Sequence, residues 1–195
     1  MMRAGILAVT LLVFGSADAA AEWQIRPFLG VTFGGETTFI DAAQAAGSHN
    51  VVVGVNGALL GDMFGVEADF SRAPGFFRSG DQNLVQGNAV TTLTGNAIIS
   101  MPRRLTEFTL GPYFVFGGGL MHVHIDQFLD VLSVARTLPA LDVGGGVTGN
   151  LSRRFGLNWD ARYFWSVGGD ELHGVSVAPE ELSFWRAIMA IVIRY

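Results

Sequence analysis

The sequence contains no cysteine and no lysine, and it is poor in charge. Without cysteine it can form neither a disulfide framework nor a thiolate metal site. Only 15% of its 195 residues are charged and 50% are hydrophobic, a balance that excludes a disordered chain and is unusual in a soluble domain. The 12 basic residues are all arginine and face 17 acidic ones, which gives a net charge of −5. We expect no nucleic-acid partner, because such partners require cations that neutralise phosphates.

Long apolar runs are also absent. No segment offers the roughly 20 consecutive apolar residues that a transmembrane helix needs. A shorter apolar run, residues 5–15, lies between Arg3 and a group of small residues that ends at Ala21. This order is typical of a secretory signal peptide. We predict that residues 1–21 are removed by cleavage between Ala19 and Glu22 and that residues 22–195 form one exported domain.

The rest of the chain alternates between apolar and polar residues with a period of two. In residues 157–167 the odd positions are mostly aromatic or aliphatic and most even positions are polar. Such alternation is typical of β-strands with one apolar and one polar face. The pattern predicts eight strands, near residues 23–33, 50–60, 63–73, 84–101, 105–124, 138–151, 155–167 and 183–195.

The predicted connections alternate in length. Short turns at 61–62, 102–104 and 152–154 alternate with longer loops at 34–49, 74–83, 125–137 and 168–182. This asymmetry indicates an up-and-down antiparallel sheet with tight turns on one side. The loop at 125–137 fits either a short amphipathic turn over the end of the sheet or an extended hairpin.

The aromatic residues indicate which face of the sheet meets lipid. They lie at both ends of the apolar face, as in the girdles of a membrane barrel. One predicted girdle comprises Trp23, Phe64, Phe108, Phe155 and Tyr195, and the other comprises Phe33, Phe70, Phe116, Trp165 and Trp185. Trp23 and Phe33 are ten residues apart, which at ~40° tilt spans roughly 26 Å, close to the apolar band of such barrels. We therefore predict an all-β, eight-stranded antiparallel transmembrane barrel with apolar residues outside.

Three passages resemble the eight-stranded outer-membrane barrel superfamily that includes the OmpA transmembrane domain, OmpX and the opacity-type proteins. They are WQIRPFLG at 23–30, GPYFVFGGGL at 111–120 and DVGGGVTGNLSRRFGLNWDARYF at 142–164. The resemblance spans residues 23–195 and implies a place in the outer membrane of a Gram-negative bacterium, among its lipids, with both chain termini in the periplasm.

The resemblance also implies an assembly signal in the last strand, read by the outer-membrane insertion machinery. The residues that match it are Trp185, Met189, Ile191, Ile193 and Tyr195. Members of the family usually end in Phe, whereas this chain ends in Tyr195.

The polar residues at alternate positions of the strands face the interior of the predicted barrel. Those that are charged predict a network of charges in the lumen. Its members are Arg26, Glu67, Asp69, Glu107, Asp142, Asp160, Arg162, Arg186 and Arg194. The interior of an eight-stranded barrel is about wide enough for its own side chains, and an unpaired buried charge is costly. We predict a lumen closed by ion pairs and a structural or surface-interaction role. The alternative is a narrow pore for small solutes or ions, and the third possibility is a lipid-modifying enzyme.

No cofactor or metal site is predicted. The glycine runs 117–119 and 144–146 lack the lysine and the strand-turn-helix setting of a phosphate loop, and they are predicted to make room for neighbouring side chains. His122 and His124 share one strand face near Asp126, but no third metal ligand is evident.

No catalytic site is predicted either. His173 and Ser176 lie three apart in a loop, and no nucleophile, base and acid converge. We therefore predict no enzyme. The loops 34–49, 74–83, 125–137 and 168–182 are the places where an extracellular partner would bind.

Overall fold

The computed structural model describes residues 22–37, 49–76, 85–102, 110–127, 134–167 and 182–195, and these form eight antiparallel strands. The strands are β1 (Glu22–Thr37), β2 (Asn50–Leu60), β3 (Phe64–Pro74), β4 (Val85–Ser100), β5 (Leu110–Gln127), β6 (Val134–Asn150), β7 (Phe155–Ser166) and β8 (Leu182–Arg194). Each strand pairs with its neighbour in sequence, and β8 pairs with β1. The sheet is therefore a closed barrel, which confirms the predicted fold class.

The period-two alternation of the sequence becomes an alternation of burial. Along β3 the side chains of Glu67, Asp69 and Ser71 are buried inside the barrel, whereas Val66 and Phe70 are exposed outside it. In the described barrel each strand pairs with a neighbour on both sides, so closure removes the free edges of an open sheet. In the described part of the chain, no helix has the length and apolar character needed to cross a membrane.

The strands are staggered around the barrel. The stagger can be followed along outward-facing residues that are paired from each strand to the next. Starting at Trp23 on β1, this line of pairs crosses all eight strands and returns to β1 at Phe33, ten residues further along. The residues on this line are Trp23, Leu59, Val66, Ala97, Phe116, Val143, Tyr163, Trp185 and Phe33. This stagger tilts the strands as barrel closure requires. Because Phe116 lies halfway along the line, its predicted place in a girdle is wrong.

The two ends of the barrel differ. One end, here called the turn end, holds the connection at 61–63, the connection at 151–154, and residues 22 and 195. The other end, here called the loop end, holds the connections at 38–49, 75–84, 128–133 and 167–181, most of whose residues lie outside the described ranges. Trp23, Phe64, Phe155 and Tyr195 are exposed near the turn end. Phe108 lies outside the described residues.

Some predicted strand boundaries are wrong at the loop end. β1 continues to Thr37, β5 continues to Gln127 and β6 begins at Val134, so much of the predicted loop 125–137 is strand. Residues 128–133, on which the choice between the amphipathic turn and the extended hairpin depends, lie outside the described residues. The prediction followed apolar alternation, whereas backbone pairing continues beyond the apolar band because it needs no apolar side chains. The predicted start of β5 near 105 lies outside the described residues.

Candidate functional site

An arginine–carboxylate pair crosses the lumen between β8 and β3. Arg186 donates from Nη1 to Asp69 Oδ1 at 2.8 Å and from Nη2 to Asp69 Oδ2 at 2.7 Å. Its guanidinium carbon lies 5.0 Å from the Phe28 ring centroid and 4.7 Å from that of Phe164. Bidentate pairing and ring stacking both suit the planar guanidinium. The pair is fully buried and occupies the lumen between β8 and β3.

Arg162 on β7 is the centre of a second cluster. Its Nε and Nη2 donate to the two oxygens of Asp160 at 2.7 and 2.9 Å. Its Nη1 donates to Glu67 Oε1 at 2.7 Å, which ties β7 to β3 across the barrel. The amide of Asn96 donates to the same Glu67 oxygen at 3.2 Å. Arg162 therefore links two carboxylates on different walls.

Arg26 and Tyr113 extend this cluster toward the turn end. Arg26 Nη1 lies 3.6 Å from Glu67 Oε2, and its Nε and Nη2 donate to Gln24 Oε1 at 2.9 and 2.6 Å. Tyr113 donates its hydroxyl proton to Asp160 Oδ2 at 2.6 Å. The guanidinium of Arg26 lies over the Tyr113 ring, 5.7 Å from the centroid. Uncharged side chains thus supply some of the hydrogen bonds that the buried ions need.

The described buried charges are not balanced. Three arginines, Arg26, Arg162 and Arg186, face the four carboxylates of Glu67, Asp69, Asp142 and Asp160. Asp142 is the least well satisfied of the four. Its Oδ2 lies 3.7 Å from Arg162 Nη1, and neither of its oxygens accepts a hydrogen bond in the described structure.

Glycines in β6 make the space that the cluster occupies. A Cβ on Gly144 would lie 2.8 Å from Arg162 Cγ, and a Cβ on Gly146 would lie 2.6 Å from the Tyr113 hydroxyl. Real Cβ atoms do not approach other atoms so closely, so these two positions must be glycine for Arg162 and Tyr113 to lie as they do. The glycine run is therefore part of the lumen site.

Apolar side chains also pack inside the lumen beside the charges, which the sequence reasoning missed. Toward the loop end, a buried cluster includes Phe28, Phe76, Phe164, Phe184 and Met121. Toward the turn end, Ile98, Val115 and Tyr113 form a smaller cluster with Ala58. The signal was present, because Phe184 and Ile188 share the parity of Arg186, and Phe164 shares that of Arg162.

One of the nine predicted lumen charges, Arg194, reaches this network only indirectly. It lies at the turn end, where its Nε is 2.8 Å from Glu22 Oε1 and its Nη2 donates to Asn150. Gln24 donates to the same Glu22 oxygen at 2.8 Å and accepts from Arg26. Parity alone does not reveal how near a residue lies to the end of the barrel. Another of the nine, Glu107, lies outside the described residues. The other seven are buried inside the barrel.

A small cavity opens at the turn end. Its volume is about 90 Å³, enough for several water molecules. Gln24, Arg26, Tyr113, Thr148 and Arg194 are among the residues that line it. The cavity, here called the vestibule, thus has the buried Arg26 and the turn-end Arg194 in its lining.

The remaining predicted features lie on the outer surface. Trp185, Met189, Ile191 and Tyr195 are exposed, and Ile193 is half-buried on the same outward face of β8. His122 and His124 also face outward, with their rings stacked 6.5 Å apart. Across the described ranges, no group of three His, Cys, Asp or Glu side chains could hold a metal ion. Most of the predicted partner-binding loops lie outside those ranges.

Comparisons with known proteins support the fold alone. No family model and no curated protein matches the sequence. Among solved structures, the chain is similar to Neisserial surface protein A, with 10% identity, a TM-score of 0.66, and coverage of 89% of this chain and 97% of that one. It is similar to a major outer membrane protein of Thermus thermophilus, with 15% identity, a TM-score of 0.52, and 90% and 100% coverage.

A third similar structure is Ail, the attachment invasion locus protein of Yersinia pestis, in complex with the heparin analogue sucrose octasulfate. It shares 14% identity with a TM-score of 0.51, and the match covers 89% of this chain and 99% of Ail. The chain therefore has the fold of the eight-stranded outer-membrane barrels, which confirms the resemblance seen in the sequence.

Proposed function

We propose that this chain is an integral outer-membrane barrel protein with a closed lumen and a structural or surface-interaction role. The observation that carries the proposal is the Arg186–Asp69 pair, which spans the lumen between the rings of Phe28 and Phe164. A solute path would have to break this pair and leave two charges unpaired in the barrel interior.

The outer surface supports the membrane location. Large hydrophobic side chains are exposed on all eight strands, such as Val66 at 59% and Leu93 at 54%. Soluble monomers rarely expose contiguous apolar patches above a few hundred Å². An encircling band of this kind is stable only if lipid covers it.

The arrangement of the lumen favours closure over conduction. An apolar cluster fills the lumen on the loop-end side of the charges, so a water column would have to pass a layer that offers it few polar partners. The vestibule at the turn end gives water access to Arg26 and Tyr113, which are among the residues that line it. The pore alternative has no comparable observation in its favour.

Two considerations support a surface-interaction role, namely the similar structures and the loops. Neisserial surface protein A and Ail are described as a surface protein and an attachment protein. A barrel with a closed lumen offers its loops as the remaining means of interaction. We do not propose a lipid-modifying activity, because the buried acids of the described strands lie beside the arginines and act as ion-pair or hydrogen-bond partners of these arginines, a tyrosine and side-chain amides.

Cell fractionation and liposome swelling test the two parts of this proposal. The full-length protein should sediment with the outer membrane, and its folded form should migrate differently on gels before and after boiling. Liposomes that contain the purified barrel should not swell in small sugars. A protein found in the periplasm or cytoplasm contradicts the membrane location, and swelling equal to that of a porin contradicts the closed lumen.

A further inference from the structure

A row of polar side chains crosses the outward face of four strands near the loop end. Arg72 on β3 pairs with Thr91 on β4, Thr91 pairs with His122 on β5, and His122 pairs with Thr137 on β6. Arg72, His122 and Thr137 are exposed, and Thr91 is half-buried. These four residues are called the polar row below. They lie on the face that elsewhere carries the apolar band.

The adjacent row toward the turn end is apolar throughout. It consists of Phe70, Leu93, Leu120 and Pro139, paired in the same order. Phe70 is 47% exposed and Leu120 is 51% exposed. The two rows are two residues apart along each strand, which is about 7 Å. The outer surface of β3–β6 thus changes from apolar to polar within one step, as a membrane surface changes from acyl chains to headgroups.

The polar row presents hydrogen-bond donors and no carboxylate. Arg72 supplies a permanent positive charge with up to five donors. The Nδ1 atom of His122 lies 2.9 Å from Thr137 Oγ1. When the Thr137 hydroxyl donates to Nδ1, the ring carries its proton on Nε2 and can donate it to a second group. His124 stacks on His122 with an interplanar angle of 14°. A cluster of arginine, imidazole and hydroxyl groups fits an anionic oxygen ligand such as a phosphate.

We propose that the polar row binds a phosphate group of the phosphorylated glycolipid, lipid A, in the outer leaflet, while Phe70, Leu93 and Leu120 contact its acyl chains. The inference rests on the proposed outer-membrane location with the loop end outside. It goes further in naming the lipid class and the residues that select it. Phosphate and acyl chain are recognised side by side, so a free phosphate ion satisfies only half of the site.

Lipid binding to the purified, folded full-length protein tests this proposal. The probes are lipid A with both phosphates and the same lipid A after enzymatic dephosphorylation, and bound lipid is counted by native mass spectrometry. The wild type should bind the phosphorylated form more tightly. Arg72→Ala should weaken that binding about fivefold, the effect expected for one cation at an anionic surface. His122→Ala should weaken it by a smaller factor, and both variants should bind dephosphorylated lipid A as the wild type does.

The matched control is Arg153→Ala, which removes an exposed arginine at the turn end and should leave lipid A binding unchanged. Equal affinity of the wild type for the two lipid A forms would overturn the proposal. So would unchanged binding in the Arg72→Ala, His122→Ala double variant, or equally tight binding of inorganic phosphate. Fractionation of the same protein outside the outer membrane would instead contradict the proposed function. Both substitutions are on the surface, so the boiling-dependent gel shift should confirm that the variants fold.

Discussion

Each buried arginine of the lumen is held by a different set of partners. Arg186 has one carboxylate and two aromatic rings, whereas Arg162 is shared among Glu67, Asp160 and Asp142. Mutation of a one-to-one pair is simpler to interpret, because removing one partner leaves only one other charge unpaired. The Arg186–Asp69 pair is therefore the place to measure what the network contributes.

Asp69→Ala should destabilise the barrel by about 3–5 kcal/mol, because it leaves Arg186 charged and unpaired in the interior. The double variant Asp69→Leu, Arg186→Met should recover most of this loss, since an apolar pair of similar volume replaces the ions. The measurement is the urea midpoint in lipid vesicles. Arg153→Ala, in an exposed turn, is the control and should change stability by less than about 0.5 kcal/mol. If the single and double variants lose equal stability, Arg186 and Asp69 do not stabilise the barrel as an ion pair.

Gly144 should not tolerate a side chain. Gly144→Ala places a Cβ against the backbone and side chain of Arg162 and should destabilise by about 1–3 kcal/mol through overpacking. Gly57→Ala is the matched control, because nothing lies within 4 Å of a Cβ there. The same urea titration compares them. If the two substitutions cost the same, the glycine run does not shape the lumen.

At the scale of the strands, the sequence predicts which side chains point inward but not which of the inward charges pair with each other. Alternation is a local property, so the inward orientation of Arg162 and Arg186 can be read from β7 and β8 alone. Which charges meet depends on the stagger of the whole sheet, and Arg186 and Asp69 are 117 residues apart in sequence. The inward phenylalanines are missed for a related reason. Phe164 and Phe184 interrupt the alternation of polar residues, and their role is evident only from the contact of Phe164 with Arg186 and its stacking on Phe184.

The orientation of the strands in the membrane can be tested by labelling, because the chain has no cysteine. His49→Cys is at the loop end and Arg153→Cys at the turn end, and both native residues are exposed. With an even number of strands and long loops outside, an impermeant maleimide should label position 49 in intact cells. Position 153 should react only after the outer membrane is permeabilised. Labelling of position 153 in intact cells contradicts the orientation.

The outward face of β8 should be needed for assembly. Ile191 is 54% exposed on this face, so Ile191→Asp would place a carboxylate against lipid, at a cost of up to a few kcal/mol. Both this variant and deletion of Tyr195 should reduce the amount of folded protein in the outer membrane, measured by immunoblot of membrane fractions. Ile191→Leu is the control and should assemble normally. Normal levels of both disrupted variants would show that β8 carries no assembly signal.

The whole molecule is a barrel with an apolar exterior and an interior arranged in layers. The loop-end half is filled by phenylalanines, the middle by paired charges and the turn end by a vestibule. The layers stabilise one another, because the aromatic rings that exclude water also stack on Arg186, and exclusion of water strengthens the ion pairs. Closure is thus a property of the assembled lumen and not of any single side chain.

Single-channel recording of the purified barrel in a planar bilayer tests this closure most directly. The unmodified protein should show no steady, porin-like conductance. The Arg162→Ala, Glu67→Ala double variant, which cuts the contact between β7 and β3, should show brief openings. A stable open channel in the unmodified protein, with a conductance unchanged by this double substitution, would contradict the account and identify the barrel as a pore.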